Sequence, residues 1–308
     1  MLRLDLLTER QLILLSERKT KMKLSTQNHY FADIFGYERS TEMLKAAGYD
    51  CLDMSLFCLS DRPDTVFLTP DYKKRAKEIY DHARSLDIPF TQSHMAFMYK
   101  WEKDGEIQNR VIPHTLRAFE ICAIMEIPHI VVHPLPSAAL SGLSEEEARE
   151  KQIDYYRTLE KGAKEFGVKI AIENAGYTHN IDKYLDICGE LNSESFTCLV
   201  DIGHAALTDR DPCDFLRSVD ASRLSGLHVH DNDYKSDLHR MPGAGKFKWE
   251  EIMKTLSDIG YKGELTYEAD PFLANFPNSV KPDVASLMVK MGRHLISRFD
   301  YYESKKEI

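Results

Sequence analysis

Residues 196–204 read Phe196-Thr197-Cys198-Leu199-Val200-Asp201-Ile202-Gly203-His204. A short apolar run ends in a carboxylate, and an imidazole follows three residues later. The length of the run and its β-branched and aromatic content are those of a buried strand. The same figure recurs on either side. Gln92-Ser93-His94 and Val131-Val132-His133-Pro134 close two earlier runs, and Ile172-Glu173-Asn174-Ala175-Gly176 closes the next. Leu227-His228-Val229-His230-Asp231 and Thr266-Tyr267-Glu268-Ala269-Asp270 close the two that follow. Six consecutive strand ends therefore carry His, Asp or Glu.

The full pattern has eight units. Strands are expected at residues 23–26, 51–56, 89–94, 129–133, 169–173, 197–201, 226–230 and 264–268. Amphipathic helical stretches occupy 40–47, 71–85, 111–125, 144–166, 181–191, 212–219, 249–259 and 280–298. Strands alternating with helices imply a parallel sheet, and eight such units at intervals of about 25 to 40 residues fit a closed barrel. A doubly wound sheet would normally carry a glycine-rich loop after its first strand, whereas Ser25-Thr26-Gln27-Asn28 has no glycine. The expected fold is α/β, a single (β/α)8 TIM barrel over residues 22–308. Residues 1–21 read as an amphipathic N-terminal extension.

Composition narrows the function classes. The chain has 308 residues, 43% hydrophobic and 29% charged, with a net charge of −9. That balance disfavours a nucleic-acid surface, which needs clustered Lys and Arg against phosphates. In the segments between strand and helix, only Lys100, Lys103 and Arg110 gather, in a mixed-charge loop. Six scattered cysteines form no CxxC pair and read as small buried hydrophobes of a reducing cytoplasm. No apolar run approaches the roughly 20 residues of a membrane span. The expected setting is cytoplasmic, without a membrane or nucleic-acid partner.

In a barrel all strand C-termini open on one face, so these side chains converge. Converging imidazoles and carboxylates make a site for a divalent cation: Mn, Co or Mg where oxygen dominates, Zn as imidazoles are added. Each residue alone has a plainer reading; Asp201, for one, would serve as a helix N-cap. The recurrence on six strands favours a site over six coincidences. After the seventh strand, Asp237-Leu238-His239 puts two donors at i, i+2 on one side of an extended segment. Gly243 and Gly245 then suit a tight turn or a close backbone approach to substrate.

These residues, in this order and spacing, resemble the xylose isomerase-like TIM barrel superfamily, which includes sugar and sugar-phosphate isomerases and epimerases and the apurinic/apyrimidinic endonucleases. The resemblance runs from about Met22 to Arg298 and includes the Pro242-Gly243-x-Gly245 turn. It implies that Glu173, Asp201, His228 and Glu268 hold one divalent metal. It also implies that His94, His133, His204, Asp237 and His239 supply further ligands in the endonuclease branch, for up to three metals. His204 and His230 would otherwise contact substrate. One departure is Lys248, where the family often has Asp before Trp.

The implied chemistry is isomerisation or epimerisation of a sugar or sugar phosphate through an enediolate. Glu173 and Glu268 would move the proton as well as ligate, Asp201 and His228 would only ligate, and Asn174 would orient Glu173. Phe31, Phe97, Trp101 and Phe272 are candidates for the pocket wall. The alternatives are a zinc-dependent phosphodiesterase of the endonuclease type, an inosose-type polyol dehydratase at the same site, and a non-catalytic ligand-binding barrel. A homo-oligomer is allowed by the 280–298 helix.

Overall fold

The computed structural model describes residues 22–96, 107–208 and 210–306. The expectations placed on residues 1–21 and on Phe97, Lys100, Trp101 and Lys103 lie outside these.

Eight parallel strands form in chain order: β1 Leu24–Thr26, β2 Leu52–Ser55, β3 Phe90–His94, β4 His129–Val132, β5 Lys169–Glu173, β6 Phe196–Asp201, β7 Leu224–His228 and β8 Leu265–Tyr267. Strands β2 to β7 pair in sequence, and β1 pairs with β8 from Leu24↔Leu265 to Thr26↔Tyr267. Two single bridges join these sheets, Gln27↔Asp53 between β1 and β2, and Val229↔Tyr267 between β7 and β8. The ring therefore closes. Each crossover is covered by a helix, with Tyr37–Ala47, Tyr72–Ser85, Ile112–Ile124, Glu145–Phe166, Ile181–Glu190, Pro212–Ser218, Trp249–Asp258 and Lys281–Lys306 matching the eight expected stretches.

The boundaries follow local chemistry. Ser144 and Glu147 form a reciprocal capping box at the start of Glu145–Phe166, and Gly167, at φ 67°, ends it in the left-handed conformation. The last helix extends eight residues past the expected 298. Shorter helices at His29–Phe35, Cys58–Asp61 and Ile202–Ala205 add to the expected set. All six cysteines lie among the described residues and are buried thiols. No helix among the described residues is long and apolar enough to cross a membrane.

Side-chain alternation divides the barrel into two unlike faces. Outward residues such as Ile130, Val132, Ile170, Ile172, Cys198 and Val200 join the large apolar core under the helices. Inside, the apolar cluster is only Val131, Ala171 and Leu199. Much of the remaining interior is polar: Ser25, Gln27, Asp53, Gln92 and His129 are all buried. That is unlike the branched aliphatic filling usual in such barrels.

The last helix is tied back to the first strands by Arg293, whose guanidinium donates to Asp50 Oδ2 and Oδ1 at 2.6 and 2.7 Å. Asp50 Oδ2 also accepts the Leu24 amide at 2.8 Å. Burial raises the Asp50 carboxyl, but Arg293 and the Leu24 amide outweigh it and hold it below its ordinary value. A depressed carboxylate stabilises the fold above its unfolded pKa of about 3.9, and this is lost as pH falls through the folded value. Asp50→Asn is expected to lower stability by about 1–2 kcal/mol at pH 7. In urea titrations the gap from wild type should shrink below pH 4; an unchanged gap would contradict the assignment.

Candidate functional site

The strand ends deliver their side chains to one place. Ligand atoms of Glu173, Asp201, His228 and Glu268 all lie within 4.8 Å of one another, and all four residues are buried. His228 Nδ1 is 2.8 Å from Glu173 Oε1, 3.1 Å from Glu268 Oε2 and 4.0 Å from Asp201 Oδ2. The expected additional residues gather around this centre. His133 Nε2 is 2.5 Å from Glu173 Oε2, and His94 Nε2 is 3.8 Å from both Glu173 and Glu268. On the opposite flank His204 Nε2 and His239 Nε2 approach Asp237 Oδ2 at 3.4 and 3.1 Å. Five overlapping groups result, with Glu173 shared between two of them and Glu268 among three.

Two imidazoles are set in the way metal-ligating histidines commonly are, one nitrogen donating to a backbone carbonyl and the other facing carboxylates. His94 Nδ1 donates to Met95 O at 2.7 Å, and His239 Nδ1 to Glu268 O at 2.7 Å. His239 takes a positive φ of 42°, an uncommon backbone conformation for a side chain of this size.

The electrostatics show how much negative charge is confined here. Burial alone would raise the Glu173 carboxyl, but His133 and His228 hold it well below the ordinary range. Asp201, likewise opposed by burial, is held low by His204 and His230. Burial would lower the His204 imidazole, yet Asp201, Asp237 and Glu173 push it up to about 10. His239 rises to about 10 against burial because of Asp237 and Glu268. These imidazoles take up protons to offset carboxylates; a divalent cation would supply the same charge.

Asp201 takes the N-cap role read from the sequence while its carboxylate lies in the cluster. Its Oδ1 caps the helix Ile202–Ala205 by accepting the His204 amide at 2.6 Å. The capped helix in turn holds His204 over the site.

Two expectations need correction. Asn174 does not orient the Glu173 side chain; it spans β5 and β6, donating to Asp201 O at 2.9 Å and accepting from Asp201 N at 2.7 Å. Phe31 is buried in the core beside Phe35, and Phe272 packs against Phe276, so neither is placed as pocket wall. The glycines fit the tight-turn reading. Gly243 turns at φ +87°, and a Cβ on Gly245 would sit 2.1 Å from Asp231 Oδ1. His230, fully buried, contacts Asp201 at 3.1 Å and stacks on His239 with ring centroids 4.1 Å apart. His230 also groups with His239 and Glu268, their ligand atoms within 4.8 Å of one another.

Other contributors carry no signal in the sequence alone. Gln27 Nε2 donates to Glu268 Oε1 at 2.9 Å. Phe57 meets the His94 ring edge-on at 4.9 Å. His179 lines the cavity above the cluster together with His133, Ala175, Gly176, His204, Asp237, His239 and Glu268, enclosing about 320 Å³. That volume suits a small ligand.

The sequence matches the xylose isomerase-like TIM barrel model over residues 42–281. The chain belongs to this family. Among its relatives, the uncharacterized protein MJ1311 of Methanocaldococcus jannaschii is 27% identical over 214 residues, 66% of this chain and 71% of that protein. Inosose isomerase of Bacillus subtilis is 21% identical over 183 residues, 56% of this chain and 65% of that enzyme. Of solved structures, the IOLI protein with a bound zinc atom superposes with a TM-score of 0.71 at 17% identity, covering 90% of this chain and 99% of that one. D-psicose 3-epimerase from Clostridium cellulolyticum gives 0.70 at 16% identity over 89% and 99%. At such identities the structural likeness speaks for the barrel. Within the family's frame, Lys248 leaves the helix Trp249–Asp258 without a side-chain N-cap and pairs with Glu251 at 3.4 Å.

The loop carrying Asp237 and His239 hangs on Asp231. Its buried carboxylate accepts from the amides of Gly243 and Phe247 at 2.9 and 3.1 Å and from Trp249 Nε1 at 2.8 Å. Asp231→Ala should orphan these donors, costing about 1–3 kcal/mol. Limited proteolysis should then cut first within residues 232–248; cleavage unchanged from wild type would refute this role.

Proposed function

We propose that this chain is a metal-dependent isomerase or epimerase that moves a proton beside the carbonyl of a sugar or cyclic polyol. The observation behind this is the placement of Glu173 and Glu268, from β5 and just after β8, both close to His228 Nδ1 at 2.8 and 3.1 Å. Two carboxylates reaching one point from different strands suit removal of a proton on one face of a carbon and its return on the other.

The residues fit a divalent cation. Ligand atoms of three carboxylates and one imidazole crowd within 4.8 Å of one another. Among the described residues no hydrogen bond reaches Glu268 Oε2 or His204 Nδ1, although both are buried. Glu173, Asp201, His228 and Glu268 would hold the cation, with Mn, Co, Mg and Zn as candidates. When bound, it would polarise the substrate's carbonyl and adjacent hydroxyl oxygens, making the neighbouring C–H more acidic. Glu173, ionised beside His133 and His228, would take the proton from the substrate carbon. Glu268, held by the Gln27 amide, donates or accepts at the opposing face. One proton leaves and one returns, so no redox partner is required. His204 and His133 border the cavity and offer donors to substrate hydroxyls. Relatives named inosose isomerase and fructoselysine 3-epimerase support this class, the latter over a shared stretch of 55 residues at 40% identity.

The test is proton exchange in deuterated water, followed by NMR on a panel of ketoses and inososes with Mn²⁺ present. Wild type is expected to incorporate deuterium beside the carbonyl of at least one of them. Glu268→Gln should slow exchange about 10²–10⁴-fold. A Glu268→Gln variant with undiminished exchange would remove Glu268 from the proton path.

A second reading, a zinc phosphodiesterase with up to three metals, draws on the two flanking groups His94/His133/Glu173 and His204/Asp237/His239. The net charge of −9 favours a small carbohydrate over a nucleic acid. Efficient cleavage of abasic DNA with added zinc would reverse this order.

A further inference from the structure

Below the carboxylate cluster the barrel interior holds Asp53 on β2, Gln92 on β3 and His129 on β4, three polar side chains that proton transfer itself does not use. They are 0%, 2% and 6% exposed. Gln92 lies at their junction. Its Nε2 is 2.6 Å from Asp53 Oδ2 and 3.1 Å from His228 Nε2, and its Oε1 is 3.3 Å from His129 Nε2. Room for this arrangement is left at one position on the facing strand. A Cβ on Gly226, two residues before His228 and on the same side of β7, would lie 2.4 Å from Gln92 Oε1 and 3.3 Å from His129 Nε2. Burying a carboxylate, an amide and an imidazole where aliphatic side chains would pack is costly unless they serve a purpose.

We propose that Gln92, fixed by Asp53 and His129, is a positioning residue that sets the ring orientation of His228 and thereby the site's affinity for a divalent cation. The inference rests on the reading of His228 as a ligand through Nδ1. That nitrogen faces Glu173 and Glu268, while Nε2 turns down to the amide. A neutral imidazole that ligates through one nitrogen carries its proton on the other, and a partner there fixes the ring. The Gln92 amide nitrogen faces Nε2 and donates to Asp53 Oδ2, so the acceptor for a proton on Nε2 is that carboxylate, 3.9 Å away and held in place by the same amide. The His94 ring, stacked on His228 at 5.1 Å and 11°, restrains the plane but offers Nε2 no partner of this kind.

The test is calorimetric titration of the full-length chain with Mn²⁺ at 25 °C, alongside circular-dichroism melting of the metal-free protein. Wild type, Gln92→Leu and Gly226→Ala are compared. Gly226→Ala keeps every polar group and presses hardest on the amide, with Leu199 Cδ1 and His129 Nε2 next at 3.2 and 3.3 Å. Both variants are expected to fold and to bind Mn²⁺ about 10–100-fold more weakly than wild type. A merely structural network would lower the melting temperature and leave the dissociation constant of the folded protein unchanged, and that result in either folded variant would overturn the inference. If Gln92→Leu does not fold, Gly226→Ala decides alone. A wild-type chain that binds no Mn²⁺ would instead contradict the proposed function.

Discussion

Three carboxylates, Glu173, Asp201 and Glu268, are buried within one contact shell, and much of what surrounds them is arranged to offset that charge. In a low-dielectric interior such a cluster is unfavourable unless positive charge or hydrogen-bond donors face it. Imidazoles from β3, β4 and β7 and from the loops after β6 and β7 meet this need. His133 and His228 sit against Glu173, and His204 and His230 against Asp201. The same charge that would be a liability in an apolar barrel would suit the proposed divalent cation.

The fold supplies the convergence. A closed parallel ring brings strand C-termini together, and alternation sends every second side chain inward. Glu173, Asp201 and His228 end their strands, with His133 and Glu268 one residue beyond theirs. The flanking group is delivered differently, by a long loop whose geometry depends on Asp231 and on the absence of a side chain at Gly245. Rigid strands thus carry the central residues, and a separately braced loop carries Asp237 and His239.

The eight-unit rhythm is legible in the sequence because apolar runs buried on both faces stand out against amphipathic helices. The strand-end residues are legible because convergence is a property of topology and needs no knowledge of side-chain contacts. What stays hidden depends on such contacts. Gln92 stands out in the sequence only as part of the run before His94, since a glutamine within a strand does not reveal which way its amide points. Asp53 and His129 sit inside strands whose neighbours are apolar, so burial disguises them. Asn174 adjoins Glu173 in sequence, yet its side chain crosses to β6 instead of staying beside that carboxylate. Phe31 reads as a loop residue, yet it lies in the short helix His29–Phe35, whose N-cap Asn28 makes no side-chain cap bond.

The central claim is that these strand ends form one cation site. A crystal structure of the metal-loaded protein, with anomalous data collected above and below the metal's absorption edge, tests it directly. The account predicts an anomalous peak bonded, at roughly 2.0–2.3 Å for Zn²⁺, to Glu173, Asp201, His228 and Glu268 together. A loaded crystal whose only peaks lie away from these four residues would contradict it.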